Sequence, residues 1–251
     1  MLSWVAVFGM GVLLGLLGGG GGILTVPILV GFFGMPATQA TGASLFVVGV
    51  ASIVGSAQGF WKREVDLRSA IMIALPSAVG AFVARKFVVP GLPNSILGLT
   101  KDEFLLVAFA ALMIVVGWRM LRAGETSAVR NVPVFVTALL GLVIGLVAGT
   151  LGAGGGFLIV PALTLLLGVD IKRAIPTSLT VIAFQSLIGF SGELGKPIAW
   201  ETLMPVLGVG LLGMLVGMPL RERTPKAHLR IGFAVLIFVV AAWMLFRVAT
   251  A

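Results

Sequence analysis

A chain of 251 residues with 59% hydrophobic and only 10% charged positions, and a mean hydropathy of +1.17, is not a water-soluble fold, whose charged share is about 25%. Its net charge of +8 sits in short basic clusters between apolar runs, the pattern that orients membrane helices, so lipid headgroups are expected partners and nucleic acid is not. The chain has no Cys, and its one His, His228, stands among Arg221, Glu222, Arg223, Lys226 and Arg230; disulfides, a metal centre and other cofactors are therefore not expected.

The first apolar segment, 4–17, is not expected to be a cleavable signal, because only Met1 supplies charge before it and glycines follow it. Glycines at 18–22 break it, and 23–33 follows, at 11 residues too short to cross about 30 Å of hydrocarbon at about 1.5 Å per residue. Three long helices are predicted next, near 40–60, 67–88 and 104–120, ending in a polar stretch at 119–131. The second half repeats this order: 132–151, a break at 152–156, a short segment 157–167, then helices near 174–194, 202–220 and 229–248. These runs are apolar on every side, whereas barrel strands alternate, so a β-barrel is excluded.

The repetition is explicit: GVLLGLLGGGGGILTVP at 11–27 matches GLVAGTLGAGGGFLIVP at 145–161 without a gap. In the same register Ala40 pairs with Ala174, Ser44 with Ser178, Ser52 with Ser186, Gly55 with Gly189 and Lys62 with Lys196. The expected fold is therefore an all-α polytopic membrane protein of two homologous repeats. Each repeat is a glycine-broken, re-entrant helix pair plus three spanning helices. The boundaries are repeat 1 at 1–122, a polar linker at 123–131 and repeat 2 at 132–251.

Charge points to inverted repeats. If each broken pair enters and leaves on one side, Lys62, Arg63, Arg68, Arg119, Arg122, Arg130, Lys172, Arg173, Arg221, Arg223, Lys226 and Arg230 share a face, leaving five basic residues for the other. If the pair instead crosses, the two faces carry 9 and 8, which orients nothing. The first arrangement places both termini outside.

Contiguous glycines at membrane depth must be packed in protein or line a cavity, since bare backbone is not tolerated in lipid. Glycine lets backbone approach a ligand, and the N–H groups before each short helix add the positive end of a dipole. Broken helices at matching positions of two repeats mark a carrier's central site. The candidate site is thus Gly20, Gly21 and Gly22 with Gly154, Gly155 and Gly156. The hydroxyls of Ser44, Thr177 and Ser178 join it, with Pro176 expected to set a helix start at which Thr177 and Ser178 offer free N–H groups. Gln58 and Gln185 are further donors, inter-helix hydrogen bonding being the competing role. Spaced glycines such as Gly11 with Gly15 and Gly141 with Gly145 fit close helix packing instead. No charged residue is expected mid-helix, and Glu193 with Lys196 is expected to be a loop salt pair.

Gly152-Ala-Gly-Gly-Gly-Phe-Leu-Ile-Val-Pro161 and Ala174-Ile-Pro-Thr-Ser-Leu179, with their first-half counterparts, resemble the TauE/SafE family of sulfite and organosulfonate exporters over nearly the whole chain. One departure is Gly42-Ala-Ser44, where that family has Gly-Thr-Ser, which gives Thr177 and Ser178 the greater weight. The resemblance implies an inner-membrane permease, not an enzyme, exporting a small sulfur-containing anion such as sulfite or sulfoacetate, by carrier or uniport. The glycine runs lack the Lys of a GxxxxGK(S/T) phosphate loop, which also favours a secondary mechanism. The alternatives are a membrane enzyme or assembly factor acting on a sulfur intermediate, and a transporter of another small organic anion. A homodimer is left open.

Overall fold

The computed structural model describes residues 1–93, 95–96, 99–122, 132–151 and 155–250. Its first half comprises α1 (Leu2–Leu17), α2 (Gly19–Gly22), α3 (Thr25–Phe33), α4 (Ala37–Trp61) and α5 (Leu67–Val83). A π turn, Ala84–Val88, carries α5 into α6 (Val89–Gly91), and a two-residue strand pair, β1 (Ser95–Ile96) with β2 (Leu99–Thr100), precedes α7 (Lys101–Arg122). The second half has α8 (Val134–Leu151), α9 (Gly156–Pro161) running into a π turn Ala162–Leu166, α10 (Ile171–Ser191), α11 (Trp200–Arg223) and α12 (Lys226–Ala249). Among the described residues six helices are long and apolar enough to cross a membrane. The architecture is helical and multi-pass; the proposed linker, 123–131, lies outside the described residues.

Two helix starts fall earlier than expected. α4 begins at Ala37 and α10 at Ile171, so Pro176 lies inside α10 and Thr177 and Ser178 are not at a helix N-terminus. The cause is Asp170, whose carboxylate accepts the Lys172 N–H at 3.0 Å and caps the helix a turn before the proline. The free N–H groups expected beside Thr177 and Ser178 are therefore absent. Asp66 caps α5 in the same way, through the Ser69 N–H.

Glycine stripes set the helix pairs. A Cβ on Gly11 would sit 2.0 Å from the Gly210 carbonyl oxygen and one on Gly15 2.4 Å from that of Met214, so α1 and α11 touch backbone to backbone. Gly141 and Gly145 press likewise on the carbonyls of Ile73 and Ser77, joining α8 to α5. The small-residue spacing read from the sequence is thus a packing device. These contacts advance together along both chains, so α1 runs parallel to α11 and α5 to α8.

α4 and α10 are the innermost helices, with 72% and 78% of their most apolar windows buried, against 39–44% for the other four spanning candidates. Gly42 meets Glu193, Gly49 meets Ser186 and Leu187, Ser56 hydrogen-bonds Thr180 at 2.8 Å, and Gly59 meets Pro176. As one number rises the other falls, so these two equivalent helices run antiparallel. The outer pairs obey the same exchange: α1 on α11 matches α8 on α5.

The ends of the bundle are distinguishable. At one end the Trp4 ring packs edge-on against Phe33 at 5.5 Å, so α3 returns to the end where α1 begins; Arg85 and Glu193 lie there too. At the other end Lys62 pairs with Glu222, Lys226 with Asp170, and Arg221 with Glu64 at 2.8 Å.

Candidate functional site

The two glycine breaks meet in the interior. A Cβ on Gly19 would lie 2.0 Å from the Gly156 Cα, and one on Gly156 would lie 2.0 Å from the Gly19 Cα, with Ile182 Cδ1 within 2.7 Å of both positions. No side chain can enter there, so the halves are joined by bare backbone. Gly18 and Gly155, at φ of +66° and +67°, hold positive-φ backbone that only glycine adopts readily, Gly155 in a left-handed turn. Gly20, Gly21 and Gly22 form most of the single helical turn α2. Gly154 lies outside the described residues.

One face of α10 runs along both breaks. Ser178 Oγ is 3.2 Å from where a Gly18 Cβ would be, Ile182 touches Gly19 and Gly156, and Gln185 Nε2 is 2.5 Å from a would-be Cβ on Gly155. Positions 178, 182 and 185 follow the helical i, i+4, i+7 spacing, which is why one stripe reaches both breaks. Ser178 and Gln185 are fully buried, and the Ser178 hydroxyl donates to the Ile175 carbonyl at 2.7 Å.

Of the other residues expected in this cluster, Thr177 is tied to the α4–α5 loop, Ser44 lies at another depth, and Gln58 is at the level of Ser178. The Thr177 hydroxyl donates to the Arg173 carbonyl at 2.7 Å and accepts the Asp66 N–H at 2.9 Å, tying the α4–α5 loop to α10. Gln58 is half-buried on the last turn of α4, beside the Gly59–Pro176 contact. Ser44, whose hydroxyl donates to the Thr41 carbonyl, is not at the depth of Ser178. Ser178 lies level with Gly55 to Gly59 of α4, so the two serines are separated by about 13 residues, or ~20 Å along the helix. Antiparallel packing of equivalent helices places equivalent residues at mirrored depths, so Ser44 and Ser178 cannot hold one small ion together.

Two features escaped sequence reasoning. Ser52 and Ser186, paired by the repeat, are fully buried near the middle of α4 and α10, and their hydroxyls have no hydrogen-bond partner among the described residues. Their equivalence was the available signal. Arg85, near the end of its helix and not at mid-helix, is also fully buried, and it lines a cavity of about 390 Å³ with Thr38, Gln39, Glu193 and Lys196. Lys196 pairs with Glu193 at 2.9 Å as expected, but that glutamate also faces Arg85 at 3.4 Å. The signal for Arg85 was a charge inside an apolar run, at helical spacing from the buried Ala74, Ala78 and Ala81; it lies within the π turn, a distortion that often marks functional sites.

Glycine-broken short helices meeting inside a bundle of spanning helices define a membrane transporter, and the comparisons agree. The family model described as "Sulfite exporter TauE/SafE" matches residues 3–244. A "Probable membrane transporter protein" of Xylella fastidiosa is 32% identical over 248 residues, covering 95% of this chain and 92% of its own. Probable membrane transporter proteins of Methanocaldococcus jannaschii, 28% identical with 95% and 92% coverage, and of Bacillus subtilis, 24% identical with 92% and 94%, are similar too. The chain belongs to the TauE/SafE sulfite exporter family.

Proposed function

We propose that this protein is a secondary carrier that exports a small sulfur-containing anion, sulfite or an organosulfonate such as sulfoacetate, across a bacterial-type inner membrane. The carrying observation is the meeting of the two breaks at Gly19 and Gly156 beneath the Ser178–Gln185 face of α10. Backbone N–H groups and neutral donors suit an anion that must be bound and then released. The site is accordingly narrowed to the glycine turns with Ser178 and Gln185. Uptake into proteoliposomes, compared over sulfite, sulfate, sulfoacetate and taurine, tests the substrate class: saturable uptake of sulfite or sulfoacetate is expected, and saturable uptake of none of the four rejects it. Ser178→Ala is expected to raise the half-saturating concentration roughly 10-fold or more at unchanged expression, because the hydroxyl turns from the Ile175 carbonyl to the anion and a hydrogen bond to a charged group contributes about 1.5–3 kcal/mol. Unchanged affinity would remove Ser178 from the site.

The antiparallel course of α4 and α10 supports inverted repeats, with the more basic end cytoplasmic. Cysteines introduced into a Cys-free chain report this directly. An impermeant thiol reagent applied to whole cells should modify Leu194→Cys, at the Glu193 end, and spare Arg223→Cys; the reverse pattern rejects the orientation.

A further inference from the structure

We propose that Arg85 and Lys196 form an oxyanion-binding site in the 390 Å³ cavity at the Glu193 end of the bundle, separate from the glycine breaks, with Glu193 as the resident counter-ion that an incoming anion displaces. Arg85 is 0% exposed, and its Nε and Nη2 have no hydrogen-bond partner among the described residues. Those two donors form one edge of the guanidinium plane, the fork that takes a carboxylate, sulfonate or sulfite through two parallel bonds. A buried guanidinium with an unused edge is costly unless something polar completes it. Glu193, the one carboxylate among the described residues lining the cavity, stands at 3.4 Å from Nη1, beyond good hydrogen-bond length, and is shared with Lys196 Nζ at 2.9 Å. Two cations against one carboxylate leave the cluster one positive charge in excess, which favours an anion.

The opposite end carries the contrasting case. Arg221, equally near the C-terminal end of α11, pairs with Glu64 just beyond α4, as Arg85 near the end of the α5 span pairs with Glu193 just beyond α10. Each pair joins one half to the other under the exchange that relates α5 to α11 and α4 to α10. Arg221 Nη2 donates to its glutamate at 2.8 Å, with only Nη1 left without a partner among the described residues, whereas Arg85 Nε and Nη2 both lack one there and the residue opens on a cavity. The same ion pair is therefore engaged at one end and available at the other.

The inference deepens the anion-carrier reading, but its test reads local binding and not flux. Thr38 lines the cavity and is half-buried, so Thr38→Cys offers one thiol there. The reagents are the anionic sulfonatoethyl methanethiosulfonate and the cationic trimethylammonioethyl methanethiosulfonate, each rate normalised to a free thiol. The anionic reagent should be favoured, with isethionate slowing it. Arg85→Gln should lower the anionic-to-cationic ratio about tenfold and remove isethionate protection, Arg85→Lys should keep most of the ratio, and Glu193→Gln should raise it. Arg85→Gln alone leaves a buried carboxylate less well paired and could misfold, so the double variant Arg85→Gln with Glu193→Gln is measured beside it and should also lose isethionate protection. Retained protection in a folded double variant, or a thiol that neither reagent reaches, overturns the proposal. Either result leaves the carrier reading standing if liposome uptake still saturates, while absent uptake with intact isethionate protection fails that reading alone.

Discussion

Gly155→Val is expected to abolish anion uptake into proteoliposomes at unchanged substrate concentration, the largest functional effect of any single substitution in the glycine breaks. Gly155 holds φ +67° immediately before α9, a conformation in which a β-branched residue is a genuine outlier. A side chain there also meets Gln185 Nε2 at 2.5 Å and Ala148 Cβ at 2.8 Å, so it pushes α10 from the break and occupies the space proposed for the anion. Gly155→Ala separates the two causes. The Gln185 amide is the end of a flexible chain and can yield to one methyl, whereas Ala148 Cβ at 2.8 Å must be relieved by a small backbone shift, so alanine carries that shift and the left-handed backbone cost of about 1–2 kcal/mol without filling the break. Partial activity is therefore expected for alanine and none for valine, with both variants eluting as monodisperse protein. Wild-type uptake by a folded valine variant would make the break a packing element and move the site elsewhere.

Gly145→Ala is expected to produce the largest loss of stability from a single added methyl, with little change in substrate affinity. Its Cβ would stand 2.0 Å from the Ser77 carbonyl oxygen and 2.5 Å from the Ser77 Cα, atoms that cannot rotate away, so α8 and α5 must separate along their length. Overpacking of this kind costs about 3 kcal/mol, which corresponds to a midpoint fall on the order of 10 °C for a chain of this size. Gly232→Ala supplies the opposite sign. That glycine lies inside α12 with nothing within 4 Å of its would-be Cβ, so alanine should stabilise by about 0.5–1 kcal/mol through helix propensity. Thermal melts in detergent compare the pair. Equal midpoints for the two variants would mean that the α5–α8 contact does not limit stability.

Composition and self-similarity carried most of the architecture. The ungapped match of 11–27 to 145–161 located both breaks, and the spacing of Gly11, Gly15, Gly141 and Gly145 named the contacts that join α1 to α11 and α8 to α5. Those features are local: apolar length, contiguous glycine and small-residue spacing act through a few neighbouring turns. Depth is different, because it depends on the direction in which distant helices pair. Ser44 and Ser178 look equivalent along the chain, yet the antiparallel packing of α4 and α10 places them at mirrored levels, and Thr177 turns to the Asp66 N–H instead of the breaks. Arg85 reads as a residue near a helix end and continues the buried stripe of Ala74, Ala78 and Ala81 at helical spacing, but its facing Glu193 of the other half follows only from the way the two halves pack. Helix content, repeat and breaks were thus legible in the order of residues. Which polar groups share one small volume was decided only when the two halves packed, since that volume is bounded by residues more than 100 positions apart, such as the Gly18 backbone against the Ser178 side chain.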